Sequence, residues 1–207
     1  MKQFFKRWAH LLLPVLGIVL IVTAFACSRQ PAGQEGETKT KTVTEEAPPS
    51  KENIKVENNK VAVIETDKGT IKFTFYPDEA PNTVENFVKL ANQGFYNGIK
   101  FHRVEPGFVI QGGDPNSKDD DPTNDGQGDP GYTIDAEFSD LNHVDGTVAM
   151  ARSSDPNSAG SQFYICLADQ PSLDRQYTIF GQVSEGLDVV HKIQKGDVMK
   201  KVYIEEK

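Results

Sequence analysis

The chain has 207 residues and a formal net charge of −8, with 30 acidic against 22 basic side chains and only two cysteines, Cys27 and Cys166. Acidity of this size excludes a nucleic-acid or anionic-surface binder, since such partners are held by clustered Lys and Arg that displace counterions. Two cysteines exclude a disulfide framework.

Residues 1–26 open on Lys2, Lys6 and Arg7, run apolar from Leu11 to Ala26 and hold no acidic residue, the layout of a secretory signal. Pro14 and Gly17 interrupt the apolar run. It is also shorter than the about 20 residues a membrane-spanning helix needs, so a cleaved signal is the first expectation and an uncleaved anchor the second. Ala24-Phe-Ala-Cys27 resembles a bacterial lipobox, which implies cleavage before Cys27 and acylation of its thiol. Two or more acyl chains would anchor the protein stably on the extracytoplasmic face of the cell membrane. A lipidated Cys27 leaves Cys166 without a disulfide partner, and Cys166, inside the apolar run Phe163 to Leu167, reads as a small core residue.

Residues 27–59 are expected to form the lipidated N-terminus and a disordered tether, because this stretch has no aromatic residue and is rich in Thr, Glu, Lys, Gly, Pro and Ser. A chain of that length would have an r.m.s. span of about 30 Å and an extended reach of about 100 Å. Ile54 and Val56 are the positions that would pair onto a sheet edge.

The folded domain is expected over residues 60–207. Val61–Thr66 and Thr70–Tyr76, joined by Asp67-Lys-Gly69, read as a β-hairpin, with Ile71, Phe73 and Phe75 alternating with Lys72 and Thr74. Val84, Phe87, Val88 and Ala91 recur at helical spacing over 82–93, with Asn82 as the expected N-cap and Gly94 as the stop. Short strands follow at 101–104, 108–112, 147–151, 162–167 and 177–183, then a helix near 187–194 and a last strand near 197–204. Many short strands with Gly and Pro turns and two isolated helices indicate a mainly β, mostly antiparallel sheet closed on itself.

The most informative run is Phe101-His-Arg-Val-Glu-Pro-Gly-Phe-Val-Ile-Gln-Gly-Gly-Asp114. It sets one cation, Arg103, among apolar residues, with the carboxamide of Gln111 eight positions on. A guanidinium keeps its charge at ordinary pH and offers fixed N–H donors, so beside an apolar wall it can address a neutral peptide. The chain has no Gly-x-Ser-x-Gly elbow, His-Glu-x-x-His pair or Cys-x-x-Cys, which removes hydrolase, metalloprotease and thiol-redox readings. The aspartates at 114, 119, 120, 121, 125 and 129 invite a calcium reading. Set to an EF-hand loop on Gly126, however, they leave Tyr132 where an acid is required, so a solvated acidic loop is expected.

This run, together with Ala80–Phe87, Gly146–Arg152, Ala159–Cys166 and Thr178–Val183, resembles the cyclophilins, peptidyl-prolyl cis/trans isomerases, over residues 60 to 205. The resemblance implies a closed eight-stranded antiparallel barrel capped by two α-helices, no cofactor, no metal, a monomer, and proline-containing polypeptides as partners. It further implies Arg103 as catalytic donor and Gln111 as its orienting group. Phe108, Val109, Tyr164, Leu173 and Tyr177 would line the proline pocket, and Ala151, Arg152 and Gln162 would bind the preceding residues. His102 would be a structural hydrogen-bonding residue. With the lipobox, this gives an isomerase that assists the folding of exported proteins; the rival reading is a non-catalytic peptide-binding or holdase lipoprotein using the same groove.

The chain departs from the best-known pattern of that family at Ser172, where Trp is usual, and at Tyr177, Tyr164, Val109 and Arg152, where His, Phe, Met and Asn are usual. These departures imply weak cyclosporin binding.

Overall fold

The computed structural model describes residues 59–207. The signal, lipobox and tether expectations, with Ile54 and Val56, lie outside these residues. Among the described residues eight strands form one antiparallel sheet: β1 (Lys60–Thr66), β2 (Gly69–Phe75), β3 (Arg103–Glu105), β4 (Val109–Gly112), β5 (Thr147–Met150), β6 (Phe163–Cys166), β7 (Ile179–Glu185) and β8 (Lys201–Glu206). Their order is β3-β4-β6-β5-β7-β2-β1-β8.

The hairpin forms as its alternation dictates: Ile71, Phe73 and Phe75 are buried while Lys72 and Thr74 are not, and Thr66 pairs with Gly69 across the turn. Helix α1 (Pro81–Asn92) begins on a proline, whose missing N–H costs nothing at a first-turn position. The expected cap at Asn82 is corrected. The N-cap position is Ala80, which has no capping group, and the free N–H groups of Asn82 and Thr83 instead donate to the Glu137 carboxylate at 3.0 and 2.8 Å. At the other end Gly94, at φ +68°, takes the left-handed turn. Its N–H reaches Ala91 O and that of Phe95 reaches Leu90 O, a Schellman closure.

The expected closed barrel is also corrected. The sheet is a curled half-barrel whose edge strands, β3 and β8, share no ladder. The approach is made by irregular segments: Gly98 donates to Met199 O, Met199 to Ile99 O, Phe101 to Asp197 O and Gly196 to Phe101 O, at 2.8–2.9 Å. The last strand therefore starts at Lys201, not near 197. Helix α2 (Leu187–Val190) is shorter than expected, because tighter i to i+3 turns follow and swing Ile193 into the core.

The ring of Phe87 on α1 fills the inside of the sheet, meeting Tyr96, Phe73, Phe163 and Phe180 at centroid distances of 4.8, 5.3, 5.5 and 5.5 Å. A second, smaller cluster lies apart from it, made by Val109, Ala149, Tyr164, Cys166 and Ile179 with Phe108, Leu173 and Tyr177 packed against them.

Candidate active site

Strand register builds the site. Arg103 on β3 stands opposite Gln111 on β4, Gln111 opposite Tyr164 on β6, and Tyr164 opposite Ala149 on β5, so one row of side chains crosses four strands. The backbone can turn away after this row because Gly113 adopts φ +89° and passes so close to the segment entering β6 that a Cβ there would lie 2.3 Å from Ser161 O.

A cavity of about 170 Å³ opens over the row. Arg103, Phe108, Val109, Gln111, Ala151, Arg152, Tyr164, Leu173 and Tyr177 line it. Gln162 lines a neighbouring cavity of about 340 Å³ that shares Gln111, Ala151 and Arg152 with the first. The residues singled out in the sequence thus converge on one groove with two chambers. With a water occupying about 30 Å³ in the liquid, the smaller chamber has room for one compact ring.

The polar groups form a chain along the rim. Arg103 Nη1 donates to Gln111 Oε1 at 3.4 Å, Gln111 Nε2 to Gln162 Oε1 at 3.0 Å, and Gln162 Nε2 to Gly128 O at 2.9 Å. The Arg103 guanidinium also lies over the Phe108 ring at 5.5 Å. Its contact with Glu105, 3.7 Å between side chains that are 42% and 53% exposed, is screened by water and does not tie the cation down. Arg152 closes the far wall: it stacks on Tyr177 at 4.6 Å, and its Nη2 and Nη1 donate to Gln176 O and Ser153 O at 2.9 Å each.

Burial pushes the Cys166 thiol up to about 12, so it is an inert core group. Burial likewise raises the Tyr164 phenol far above its ordinary value and keeps its proton in place. His102 differs from expectation: it is 7% exposed, and neither ring nitrogen has a hydrogen-bond partner among the described residues. Burial holds its pKa below the ordinary value.

The acidic loop is not uniform either. Asp114 is fully buried and accepts from the backbone N–H groups of Asn116, Gly126 and Gly128, so it shapes the loop that presents Gly128 O to Gln162. Its neighbours Asp119, Asp120 and Asp121 are exposed. Two further groups escaped the sequence reading, His143 and Asp174 behind Tyr164, because nothing local marks partners 21 and 31 positions apart.

A half-barrel of antiparallel strands with a cation and a carboxamide on the lip of an apolar, ring-sized hollow defines a peptide-binding protein suited to engaging an amide. The family model described as cyclophilin type peptidyl-prolyl cis-trans isomerase/CLD matches residues 61–206, and the chain belongs to that family. It is 49% identical over 138 residues to a peptidyl-prolyl cis-trans isomerase of Synechococcus elongatus, covering 66% of this chain and 90% of that one. To peptidyl-prolyl cis-trans isomerase B of Bacillus subtilis it is 45% identical over 141 residues, 67% of this chain and 93% of that one. A crystal structure of a Cryptosporidium parvum cyclophilin type isomerase, obtained in the presence of the dipeptide Ala-Pro, superposes with a TM-score of 0.64. It is 29% identical and covers 71% of this chain and 99% of that one.

Proposed function

We propose that this isomerase acts on exported, proline-containing polypeptides from a lipid anchor at Cys27, on the extracytoplasmic face of the membrane, with Arg103 as its catalytic donor. Rotation about an X-Pro bond is slow because the prolyl nitrogen shares its lone pair with the carbonyl; the barrier to amide rotation is roughly 18–20 kcal/mol. Uncatalysed exchange takes on the order of tens to hundreds of seconds. A donor that engages the nitrogen lone pair as it leaves conjugation stabilises the twisted state selectively, and each 1.36 kcal/mol so gained is about tenfold in rate. No proton has to change hands.

One observation carries this reading: the Arg103 guanidinium, aligned by Gln111, sits on the rim of a hollow walled by Phe108, Val109, Tyr164, Leu173 and Tyr177. The walls would grip the ring while Ala151, Arg152, Gln162 and the second chamber hold the residues before it. Arg103→Ala is expected to leave the domain folded and lower kcat/KM on a short X-Pro peptide by at least about tenfold. Arg103→Lys should rescue little, since an ammonium lacks the planar fork. Exchange NMR on a folded Arg103→Ala protein showing normal turnover would remove Arg103 from the mechanism.

The anchoring half of the proposal rests on the Ala24-Phe-Ala-Cys27 box and the charge layout of residues 1–26. Cys27→Ser is expected to release the protein from the membrane fraction or leave an unprocessed precursor; an unmodified Cys27 in the native protein would overturn it.

A further inference from the structure

The wall of the proline hollow contains a feature that the isomerase chemistry does not require. Tyr164 is 5% exposed and places a phenol where an apolar ring would serve. Its hydroxyl lies 3.0 Å from His143 Nε2, and the two ring planes are 17° from parallel with centroids 6.1 Å apart. The other nitrogen, His143 Nδ1, lies 3.0 Å from Asp174 Oδ1, which also accepts the backbone N–H of His143 at 2.8 Å. The His143 side chain is fully enclosed.

Building on the reading of this hollow as the proline site, we infer that His143 and Asp174 are positioning residues: they fix the direction of the Tyr164 hydroxyl and hold the loop that carries Leu173 and Tyr177. The hydrogen positions follow from valence. An ionised carboxylate only accepts, so Nδ1 carries the imidazole proton, Nε2 offers its lone pair, and the phenol must donate to it. The only hydrogen on the Tyr164 oxygen is thereby turned away from the hollow, and a prolyl ring meets the aromatic face.

The ionisation states agree with that assignment. Asp174 is held below the ordinary carboxylate range by the backbone N–H of His143 first and by its imidazole. His143 is held below its ordinary value by burial, which outweighs the opposing pull of Asp174. The contact is therefore a hydrogen bond to a neutral ring near pH 7. Around the latch stand Arg175 and its partner Asp140 on the loop side, and Cys166 on β6 with Asp145 and Asp169 near it. Tyr177 and Arg152 lie on the side of the hollow. Of these titratable groups only Asp174 acts on His143 itself.

His143 also grips the loop at a second point, because its carbonyl accepts the Gln170 N–H at 2.8 Å. Between Gln170 and Tyr177 the chain passes Arg175 at φ +59°, a left-handed conformation for a non-glycine residue, so the loop is held against its own preference. One residue thus sets three walls of the hollow: Tyr164 through its ring, Leu173 and Tyr177 through its ring and backbone contacts with the loop.

Protonation inverts the latch. With both nitrogens donating, the Tyr164 oxygen has to accept and its hydrogen turns elsewhere, so binding of the prolyl ring weakens as the pH falls. The test combines imidazole ¹⁵N spectra with separate kcat and KM values for a neutral X-Pro peptide between pH 7.5 and 5. At pH 7.5 the His143 spectrum is expected to show a protonated Nδ1 and an unprotonated Nε2. In the wild type KM should rise at least about threefold toward pH 5 with a smaller change in kcat, a difference that affinity arithmetic makes readable.

Tyr164→Phe should flatten that rise, whatever its own basal KM. Asp174→Ala should raise KM and Asp174→Asn restore most of it, because the Asn Oδ1 still accepts both bonds. A protonated Nε2 at pH 7.5, or the same acid rise in Tyr164→Phe, overturns the inference. Failure of the Arg103 reading would show separately, as undiminished turnover in Arg103→Ala with the His143 spectrum unchanged.

Discussion

Strands β2 and β6 belong to the same sheet but are buried differently. Along β2 the inward residues Ile71, Phe73 and Phe75 are buried and Lys72 and Thr74 reach solvent, whereas all four residues of β6 are buried. The second face of β6 is covered by the outer cluster of Val109, Ala149, Tyr164 and Ile179 under Phe108, Leu173 and Tyr177. The inner cluster holds the fold and the outer one is the floor of the hollow, so stability and the proposed substrate contact fall on opposite faces of one sheet.

That division can be broken from either side, and the largest effect is expected inside. Phe87→Ala removes the ring on which five others converge and is expected to cost about 3–5 kcal/mol, enough to unfold much of the domain in a denaturant titration. Leu173→Ala, half-buried on the outer side, should cost about 1–2 kcal/mol at most and instead raise KM several-fold. Equal stability losses for the two would remove the distinction.

A smaller loss is expected at Glu137, whose carboxylate takes four donors from Asn82 and Thr83 at 2.7–3.0 Å. Glu137→Ala should lower stability by about 1–2 kcal/mol, the scale of a lost helix cap, and leave kcat/KM nearly unchanged. A fall in turnover with no fall in melting temperature would place Glu137 with the site instead.

The imidazoles of His102 and His143 sharpen the comparison through pH. Both are held below their ordinary value by burial, so between that value, about 6.5, and the lower folded value the unfolded chain binds more protons. Stability is complete above about pH 6.5 and declines as the pH falls below it. Urea midpoints at pH 7.5 and 5.5 should show the decline, and replacing His143 by Gln should reduce it.

The smallest effect on stability and turnover is expected at Ser172, exposed beside Leu173. Ser172→Trp would restore the indole N–H usual in the family. It should strengthen weak cyclosporin inhibition by up to about 1–3 kcal/mol, with little change in turnover of a small peptide. Tight inhibition of the wild type would show that the loop does not govern this affinity.

Much of this was legible in the sequence where the cause is local. The hairpin follows from alternation around Asp67-Lys-Gly69, and α1 lies within a residue or two of its expected span because Val84, Phe87, Val88 and Ala91 recur at helical spacing and Gly94 marks its end. Its cap was not legible, since Glu137 lies 55 positions away. The strand count was readable but closure was not, because the contact between the edges is made by backbone groups of irregular segments that no side-chain period announces. In the site, periodicity alone could not have gathered Arg103 and Tyr164 into one row; the family motifs did, and strand register then supplies the geometry. Asp114 was hidden among other aspartates, its burial decided by the fold.

The irregular join between the segments before β3 and β8 matters for more than shape. An unpaired strand edge is a template on which any extended chain can nucleate a sheet, and this protein's partners are polypeptides. The edge of β8 is occupied: Val202 N–H donates to Asn97 Oδ1 at 2.9 Å, α1 lies against the strand, and residues 196–199 engage 98–101. On the other side β3 spans only Arg103–Glu105, too short to seed a ladder. An extended peptide docking in the proposed site would therefore meet no open edge on which to add a ninth strand, the contact through which an isomerase and its substrate could co-aggregate.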